Sequence, residues 1–331
     1  WSAACVRELD QVAEIGPIDV VEAPIWDAQG IAVLRDGRYP LVVSLQTTMA
    51  TWLESHAAQR GDAAWMAAFG ERVLAAEREL LEGAQAVKAI SDAIRRDVES
   101  SYGVTLGERA FLTPLGIEER RAPLTEGHSA RVTRTQGVIN ILFVGRLEER
   151  KGVDVLLRAF AAAHAQEPSL RLYLAGDDTV PWAKTGLAFR DLAEVRATLE
   201  ELGEAVHVLG IVSEAQLGLA YEHADVFVAP SRYESFGLVF VEAMQRGLPV
   251  IGTAVGGVPE VVRDGVDGTL VPPDDPAGLT AAILGMVRDP AVREAMGRAG
   301  RARYDAEFTS DAMVARAERM YASVTVGTAA R

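Results

Sequence analysis

Two glutamates in the segment from Pro230 to Gly247, PSRYESFGLVFVEAMQRG, have the type and spacing to hold an extended polar ligand. Glu234 and Glu242 stand at E-x7-E spacing, on either side of an apolar stretch that follows a predicted strand over Val226–Ala229 and a turn. If a helix begins near Phe236, Glu234 precedes it and Glu242 lies about two turns inside, so their backbones are roughly 12 Å apart at ~1.5 Å per residue. Each carboxylate could therefore contact one end of a ligand.

Among the backbone N–H groups between the two glutamates are those of Phe236, Gly237, Leu238 and Val239. They stand at the positive end of the predicted helix, which favours a phosphate. Gly237 lets a phosphate come close because it has no side chain. The same pattern is typical of a helix whose start is capped by Glu234 and whose surface carries Glu242. The spacing alone leaves both interpretations open.

The residues around Glu242 favour a binding site. Phe240, Val241, Ala243 and Met244 make the helix apolar nearly all round, which predicts that it is buried. A buried carboxylate is costly without a polar partner, and a bound ligand could be that partner.

The segment from Ala224 to Asp275, ADVFVAPSRYESFGLVFVEAMQRGLPVIGTAVGGVPEVVRDGVDGTLVPPDD, resembles the donor-binding segment of retaining glycosyltransferase family 4, the group 1 glycosyl transferases. The E-x7-E pair, the small-residue strand after it and the GGVPE turn stand in the family's order. The resemblance implies that Glu234 contacts the donor sugar, Glu242 binds the nucleotide ribose and the backbone over Phe236–Val239 holds the diphosphate. It also implies the fold class, α/β of the GT-B type, with two Rossmann-like, doubly wound parallel-sheet domains facing a cleft.

A basic segment follows another predicted strand. The strand over Val138–Val144 ends in GRLEERKG, which contains Arg146 and Lys151. Ligands of open α/β sheets bind beyond the carboxyl ends of the strands, so both side chains are placed to meet an anion. The local sequence fits a solvated charge cluster with Glu148 and Glu149 better, whereas the resemblance implies that Arg146 and Lys151 clamp the donor diphosphate.

Two further turns are candidates for ligand contact. After the strand over Val206–Gly210, the resemblance implies that backbone groups of Gly210, Ile211 and Val212 receive the nucleotide base, although these residues could form only a strand-to-helix turn. Main-chain contacts do not choose between uracil and guanine. Gly256 and Gly257 open a later helix, and close packing explains them at least as well as ligand contact.

The first part of the chain alternates strands, over Ile18–Glu22, Pro40–Leu45 and Ala86–Ile90, with helical stretches, which is typical of a doubly wound parallel sheet. Ser91 is expected to cap a helix over Asp92–Ser101. Further along the chain, the pattern predicts a strand over Leu170–Ala175 and a helix that begins at Ser213. The resemblance continues more weakly through IDVVEAPIWDAQG, LVVSLQTT, AVKAISDAIRRDV and FLTPLGIE. The family's opening strand and glycine-rich loop are missing from the sequence, so we expect a truncated N-terminal domain. Gln46 stands where the family often has a histidine near the reacting sugar, and Gln cannot titrate.

The expected domains are residues 1–120, the acceptor side, and residues 121–305, the nucleotide-sugar donor side. Polar residues 120–137 lack apolar periodicity and predict an interdomain linker. Residues 306–331 contain a last helix, over Ser310–Val324, that by the resemblance crosses back to the first domain. Its docking face would consist of Met313, Ala317, Met320 and Tyr321, although packing within its own domain fits equally well.

Composition excludes several classes of function. The 331 residues, 49% hydrophobic and 24% charged, are ordinary for a globular protein with two domains. The net charge of −14 argues against a nucleic-acid partner, because phosphate backbones demand a basic surface. The single cysteine, Cys5, cannot form an internal disulfide, and no apolar run approaches the ~20 residues of a membrane span. We expect a cytoplasmic protein, with peripheral attachment to a membrane left open.

Other catalytic motifs are missing from the sequence. The five histidines show no HExxH or paired metal-ligand spacing. There is no Walker A motif, G-x-S-x-G elbow or G-x-G-x-x-G fingerprint. We therefore expect phosphate recognition by a helix N-terminus and two basic side chains, with no metal and no cofactor.

These features predict a glycosyltransferase that moves a sugar, with retention, from a UDP- or GDP-sugar to an unknown hydroxyl acceptor, which is a glycan, a lipid-linked molecule or a small molecule. A nucleotide-sugar 2-epimerase shares the fold, and donor isomerisation would distinguish it. A non-catalytic nucleotide-sugar binding protein is the third alternative, which binding without turnover would support.

Overall fold

The computed structural model describes residues 2–119 and 132–329, and the chain divides into two compact units. The N-terminal unit consists of Trp1–Leu115 together with Asp311–Arg331, and the C-terminal unit is Gly116–Ser310. The sequence placed the two boundaries at 120/121 and 305/306, each five residues nearer the middle of the chain. The difference arises because the residues next to the two boundaries are hydrogen-bonded to each other within the C-terminal unit.

The N-terminal unit contains a four-stranded parallel sheet in the order β1-β2-β3-β4. Its strands are β1 (Val21–Pro24), β2 (Leu41–Ser44), β3 (Ala86–Ala89) and β4 (Ala110–Leu112). Its first seven helices are α1 (Ser2–Ile15), α2 (Ile31–Asp36), α3 (Met49–Ser55), α4 (Ala57–Gly61), α5 (Ala63–Trp65), α6 (Glu71–Gly83) and α7 (Asp92–Tyr102). Strand β1 begins three residues later than predicted, because its partner β2 starts only at Leu41 and sets the register Val21↔Leu41.

Strand β2 is buried at all four positions because helices cover both faces of the sheet. Side chains alternate between the faces of a strand. Leu41 and Val43 therefore belong to the large core beneath α6 and α7, whereas Val42 points to the opposite face. Helix α7 starts where the sequence predicted, since the Ser91 hydroxyl accepts a hydrogen bond from the Ile94 N–H at 3.1 Å.

A buried carboxylate lies inside this core. Glu77 of α6 is fully buried and accepts hydrogen bonds from the backbone N–H of Met49, at 3.0 and 3.2 Å, and from the hydroxyl of Tyr102. Burial raises the pKa of Glu77 from 4.5 to about 7, and the hydrogen bonds from Tyr102 and Met49 only partly oppose this rise. Glu77 therefore ties the start of α3 to α6 and α7 through a group that titrates near neutrality.

The C-terminal unit contains a six-stranded parallel sheet in the order β10-β9-β8-β5-β6-β7. Its strands are β5 (Ile139–Val144), β6 (Leu170–Ala175), β7 (Val206–Gly210), β8 (Val226–Ala229), β9 (Val250–Thr253) and β10 (Gly268–Val271). Its helices are α8 (Val153–His164), α9 (Ala193–Leu202), α10 (Glu214–His223), α11 (Leu238–Gln245), α12 (Val258–Val261), α13 (Pro276–Arg288) and α14 (Pro290–Arg303). Strands β6, β7 and β8 have the limits that the sequence predicted.

This strand order reverses direction once. From β5 the chain winds outward through β6 to β7, then returns to the other side of β5 and winds outward again through β8, β9 and β10. The loops after β5 and β8 consequently leave the carboxyl edge of the sheet in opposite directions. A crevice opens at such a switch point, and it is the usual ligand site of open α/β sheets.

The segments that begin and end the C-terminal unit are hydrogen-bonded to each other. Ile117 and Thr309 form an isolated parallel bridge, in which the Ile117 N–H donates to the Phe308 carbonyl at 2.9 Å and the Ser310 N–H donates to the Ile117 carbonyl at 3.1 Å. Gln245 at the end of α11 donates to the Glu118 carbonyl at 2.6 Å and to the Tyr304 hydroxyl at 2.8 Å.

Most of the predicted linker, residues 120–131, lies outside the described residues. Val132, at the end of this gap, is packed in the C-terminal unit: it is 1% exposed, and its carbonyl accepts a hydrogen bond from the His223 ring at 2.6 Å, whereas residues 133–137 are exposed. This polar stretch lacked helical or strand periodicity because it packs as an irregular segment against α10.

The last helix, α15 (Ser310–Ala329), packs within the N-terminal unit. Met320 and Val324, flanked by Tyr321, contact Val42 and Ala86 on the second face of the sheet. Met320 and Tyr321 belong to the docking face named from the sequence. No helix in residues 2–119 or 132–329 is long and apolar enough to cross a bilayer.

The buried carboxylate makes the stability of the N-terminal unit depend on pH. Because the pKa of Glu77 is higher in the folded than in the unfolded chain, the folded protein holds an extra proton between pH 4.5 and about 7. The wild-type free energy of unfolding should therefore fall across that interval and stay reduced above it. Glu77→Gln removes the titration, so its stability relative to wild type should rise between pH 5 and pH 8 by roughly 3 kcal/mol.

Urea unfolding followed by tryptophan fluorescence measures this difference, since Trp26, Trp52 and Trp65 lie in the N-terminal unit. Glu82→Gln, on the exposed side of α6, is the matched control and should show no such change. A difference between Glu77→Gln and wild type that is the same at both pH values would contradict the prediction.

Candidate functional site

The loops after β5 and β8, residues 145–152 and 230–237, interlock at the switch point. The Arg232 N–H donates to the Arg150 carbonyl at 2.8 Å, and the Arg150 guanidinium donates to the Tyr233 carbonyl at 3.1 Å. The Arg232 guanidinium forms a two-pronged pair with Asp154 of α8, at 2.8 and 2.9 Å. The hydrogen bonds to Asp154 raise the pKa of Arg232, which therefore stays charged. These hydrogen bonds and the ion pair hold the two loops together as one rigid structure.

Two of the predicted site residues meet directly in this interlocked region. The Lys151 ammonium lies 2.5 Å from a carboxylate oxygen of Glu234, and each side chain is only 14% exposed. The sequence assigned Lys151 to the diphosphate and Glu234 to the sugar without predicting their contact. The two groups neutralise each other at the place where a ligand would enter.

Arg146 lies in the same loop and is far more accessible. Its guanidinium is 55% exposed and lies 3.1 Å from Glu148. Glu148 also accepts a hydrogen bond from Arg150 at 2.9 Å. Arg146, Glu148 and Arg150 therefore form a charge cluster with an exposed cation at its rim, whereas Lys151 pairs with Glu234.

The helix between the two glutamates starts later than predicted. Helix α11 begins at Leu238 and not near Phe236, because Gly237 has φ +101° and cannot belong to a right-handed helix. The N–H of Phe236 therefore lies outside the helix, while those of Leu238 and Val239 are in its first turn, where no intrahelical acceptor exists. The ring of Phe236 is buried and packs edge-on against Phe308, with centroids 6.0 Å apart.

The sequence left open whether Glu242 finds its polar partner in a ligand, and the structure provides one within the protein. The hydroxyl of Tyr221, on α10, donates a hydrogen bond to Glu242 Oε2 at 2.8 Å. Tyr221 is 4% exposed, and burial followed by the negative charge of Glu242 raises the pKa of the tyrosine. Glu242 itself is half-buried, so its carboxylate is held by the protein without being sealed off.

The predicted base-binding turn lies at the end of the edge strand β7. The carbonyl of Gly210 accepts a hydrogen bond from the Gly176 N–H at 2.9 Å, so this group already takes part in the backbone network. Ile211 is 78% exposed, and Val212 is half-buried. Ser213 then begins α10 with a capping box, as the sequence predicted for the start of this helix.

Gly256 and Gly257 pack against the backbone of the loop that carries Glu234. The Gly257 N–H donates to the Glu234 carbonyl at 2.9 Å. A Cβ atom at Gly256 would lie 2.1 Å from that carbonyl oxygen, and one at Gly257 would lie 2.5 Å from the carbonyl oxygen of Ser235. Close packing therefore accounts for this glycine pair.

Gln46 follows β2 in the N-terminal unit and is exposed. Among the residues that the structure describes, no group of three or more His, Cys, Asp or Glu side chains is placed to hold a metal ion.

No pattern in the sequence points to Tyr221, Arg232 or Asp154 as residues of the site. Arg232 and Asp154 are 78 residues apart, and no spacing rule links them. Tyr221 stands in a helix that looks like any other from its pattern, and only the position of Glu242 on the neighbouring helix α11 gives its hydroxyl a function.

Comparison with protein families identifies a single kind of enzyme. The family model described as "Glycosyl transferases group 1" matches residues 128–303, just over half of the 331-residue chain. D-inositol 3-phosphate glycosyltransferase of Geodermatophilus obscurus is 34% identical over 322 residues, which cover 95% of this chain and 69% of that protein. Glycogen synthase of Mycobacterium tuberculosis is 29% identical over 313 residues, which cover 93% of this chain and 70% of that protein.

Solved structures are similar across both units. Sucrose-phosphate synthase from Thermosynechococcus elongatus has a TM-score of 0.68 and 27% identity, over 93% of this chain and 74% of that one. Anabaena HepE, solved in complex with UDP-glucose, has a TM-score of 0.66 and 20% identity, over 91% of this chain and 76% of that one. The expectation of two parallel-sheet α/β units of the GT-B fold is confirmed.

The packing of Gly256 predicts a large difference between two glycine substitutions. Gly256 and Gly186 both have left-handed φ values, +49° and +68°, but no heavy atom of the described chain lies within 4 Å of a Cβ built on Gly186. Gly186→Ala should lower the free energy of unfolding by about 1 to 2 kcal/mol through backbone strain alone. Gly256→Ala should cost about 1 to 3 kcal/mol more, because its Cβ overlaps the Glu234 carbonyl.

Denaturant unfolding of the two variants checks this difference. Equal losses of unfolding free energy for Gly256→Ala and Gly186→Ala would show that the loop that carries Glu234 shifts to make room for the new Cβ without an energetic cost.

Proposed function

The chain belongs to the group 1 glycosyltransferases, and on that premise we propose that it transfers a sugar from a nucleoside diphosphate to a hydroxyl acceptor with retention of configuration at the sugar carbon. The observation that carries this proposal is the ion pair of Lys151 with Glu234 at the switch point of the C-terminal sheet. A cation for the phosphate and a carboxylate for the sugar stand side by side where α/β sheets bind ligands.

The charges around this pair suit a diphosphate. Lys151 is 14% exposed, so its attraction to a phosphate is less screened than that of a surface lysine. Arg146, 55% exposed, can turn from Glu148 to the ligand at little cost. The first turn of α11 adds N–H groups of Leu238 and Val239. A diphosphate would take over Lys151, and Glu234 would then be released toward the donor sugar.

The transfer step needs stabilisation of the leaving group more than a strong base. The bond between the sugar carbon and the diphosphate oxygen breaks, the acceptor oxygen bonds to the same face of that carbon, and the acceptor proton passes to the departing diphosphate. Negative charge grows on the diphosphate as the bond breaks, and Lys151 and Arg146 would stabilise it. Glu234 would orient the sugar, and no separate protein base is required.

The remaining predicted contacts concern the nucleoside. Glu242 would accept hydrogen bonds from the ribose hydroxyls, and backbone groups of Gly210, Ile211 and Val212 would receive the base. Exposed Ile211 is placed to cover an aromatic base that binds beside it. The relatives named for inositol phosphate and for glycogen differ in their acceptors, so we propose the acceptor only as a hydroxyl compound.

Release of nucleoside diphosphate tests the proposed activity. The protein is incubated with UDP- and GDP-sugars, with and without a panel of polyols and oligosaccharides, and release is followed by phosphorus NMR. Acceptor-dependent release with an unchanged anomeric configuration of the product supports a retaining transferase. Isomerised donor without transfer would indicate the 2-epimerase instead, and binding without either reaction would indicate a non-catalytic binding protein.

Variants of the two glutamates should have different effects on two ligands. Glu242→Ala should weaken binding of the plain nucleoside diphosphate by about 1.5 to 3 kcal/mol, the range for hydrogen bonds to a charged group. Glu234→Ala should not weaken that ligand, because it leaves Lys151 unpaired and available for the diphosphate. With the intact nucleotide sugar, Glu234→Ala should lower affinity as well.

Isothermal titration calorimetry on folded variants measures these affinities, and Glu201→Ala, at an exposed position of the same unit, is a control. Equal losses for the two glutamate variants with the plain diphosphate would mean that the roles of the pair are wrongly assigned.

Nucleotide binding should not need a divalent metal. Arg146, Lys151 and the start of α11 would neutralise the diphosphate charge that a metal neutralises elsewhere. Affinity for the preferred nucleoside diphosphate is measured in EDTA and again in magnesium, and the two values should agree within about threefold, less than the 1.4 kcal/mol that a factor of ten represents. Loss of most of the affinity in EDTA would refute this expectation.

A further inference from the structure

We propose that Tyr221 is a positioning residue that holds the Glu242 carboxylate in the direction needed to receive the donor ribose. This inference rests on the proposed function and extends it to a residue that does not itself touch the ligand. Three observations carry it: the hydrogen bond between the two side chains, the burial of the tyrosine and the place of its helix in the unit.

The hydrogen bond fixes one end of the carboxylate. The Tyr221 hydroxyl donates to Glu242 Oε2 at 2.8 Å, within the normal range for such a bond. Because a glutamate has three rotatable side-chain bonds, ordering its carboxylate on binding would reduce the affinity. A tyrosine that is itself immobile removes most of this cost before the ligand arrives.

The tyrosine ring is immobile because aromatic neighbours enclose it. Tyr221 is 4% exposed, and its ring lies 6.0 Å from that of Phe227 on β8. Phe227 in turn packs edge-on against Phe240 of α11, with centroids 5.7 Å apart. These three rings connect α10, β8 and α11, so the donor of the hydrogen bond and the helix that carries its acceptor are packed on the same strand.

The hydroxyl also stays a donor at every physiological pH. Burial and the adjacent charge of Glu242 raise the pKa of Tyr221 well above its ordinary value of 10.0, while Arg246 at the end of α11 exerts a smaller, opposite effect. The tyrosine therefore keeps its proton and remains a hydrogen-bond donor to the Glu242 side chain.

Helix α10 links this carboxylate to the base-binding turn. Its capping box at Ser213 directly follows Gly210–Val212, and Tyr221 lies near its other end, eight residues later. One short helix thus sets both the turn that would receive the base and the hydroxyl that orients the ribose acceptor. The two contacts of the nucleoside are placed by the same rigid element.

Removal of the hydroxyl and removal of the ribose hydroxyls should therefore have overlapping effects. The probes are UDP and 2′,3′-dideoxy-UDP, or the GDP pair if GDP binds wild type more tightly. Wild type should prefer the ribose form about tenfold, as expected for hydrogen bonds to a charged group. Tyr221→Phe should lose most of that preference, because it should lower the affinity for UDP and leave the affinity for the dideoxy form about unchanged.

A control separates positioning from a structural role. Tyr304→Phe removes another buried tyrosine hydroxyl of the same unit, one that accepts from Gln245 and donates to the Ile117 carbonyl at 3.1 Å. It should lower the melting temperature and leave the ribose preference unchanged. If Tyr221→Phe weakens UDP and dideoxy-UDP equally, its effect is structural and the proposal is overturned.

The proposal and the function on which it rests fail in different ways. If wild type binds both probes equally and Glu242→Ala changes nothing, the ribose role of Glu242 is wrong and the role of Tyr221 falls with it. If wild type and Glu242→Ala behave as expected but Tyr221→Phe keeps the full preference, only the role of Tyr221 is wrong. The double variant Tyr221→Phe/Glu242→Ala should lose no more of the preference for the ribose form than either single variant, since both substitutions remove the same interaction.

A second measurement uses the wild-type protein, in case Tyr221→Phe does not fold. With carbon-labelled tyrosine rings, one ζ-carbon NMR signal should move when UDP binds and should stay in place with dideoxy-UDP, because the hydroxyl bond to Glu242 changes only when ribose hydroxyls arrive. A spectrum in which both probes move the same signals equally would overturn the proposal.

Discussion

The candidate site depends on one topological constraint, the single reversal of winding between β5 and β8. All six strands of the C-terminal sheet are parallel, so every strand ends at the same edge, but only the two central strands send their loops apart. Lys151 comes from the loop after β5 and Glu234 from the loop after β8, and they meet because these strands are neighbours. The interlock around Arg232 then makes the meeting place rigid.

At this switch point, the charged side chains that a ligand would otherwise balance have partners within the protein. Lys151 pairs with Glu234, Arg146 with Glu148, and Glu242 accepts from Tyr221. Half-buried charges without partners would destabilise the ligand-free protein by several kcal/mol. On the proposed function, the site is therefore a set of exchangeable pairs, in which a donor would replace contacts within the protein.

Much of the fold could be predicted because local patterns determine it. The apolar strands over Leu170–Ala175 and Val226–Ala229 and the caps at Ser91 and Ser213 depend on neighbours within a few residues. The residue types of the site could be predicted too, since acids and bases at strand ends point to the carboxyl edge of a sheet. Which contacts those residues make in the ligand-free protein could not be predicted from the sequence.

The missed features all depend on contacts between distant parts of the chain. Lys151 and Glu234 are 83 residues apart, and their contact follows from strand order, which no local pattern contains. The burial of Glu77 beneath α7 is of the same kind. The late start of α11 was missed for another reason: Gly237 is tolerated within many helices, and only the close packing around its loop selects the left-handed conformation.

The bridge between Ile117 and Thr309 means that the C-terminal unit is an insertion whose first and last segments are already hydrogen-bonded to each other. A segment with adjacent stems can be cut out of its host, or have its ends joined and be reopened at a surface loop, without stretching its core. The C-terminal unit of this chain is thus built as a segment that could be transferred between hosts. Circular permutants opened at an exposed turn such as Gly186 would keep the switch point between β5 and β8 intact.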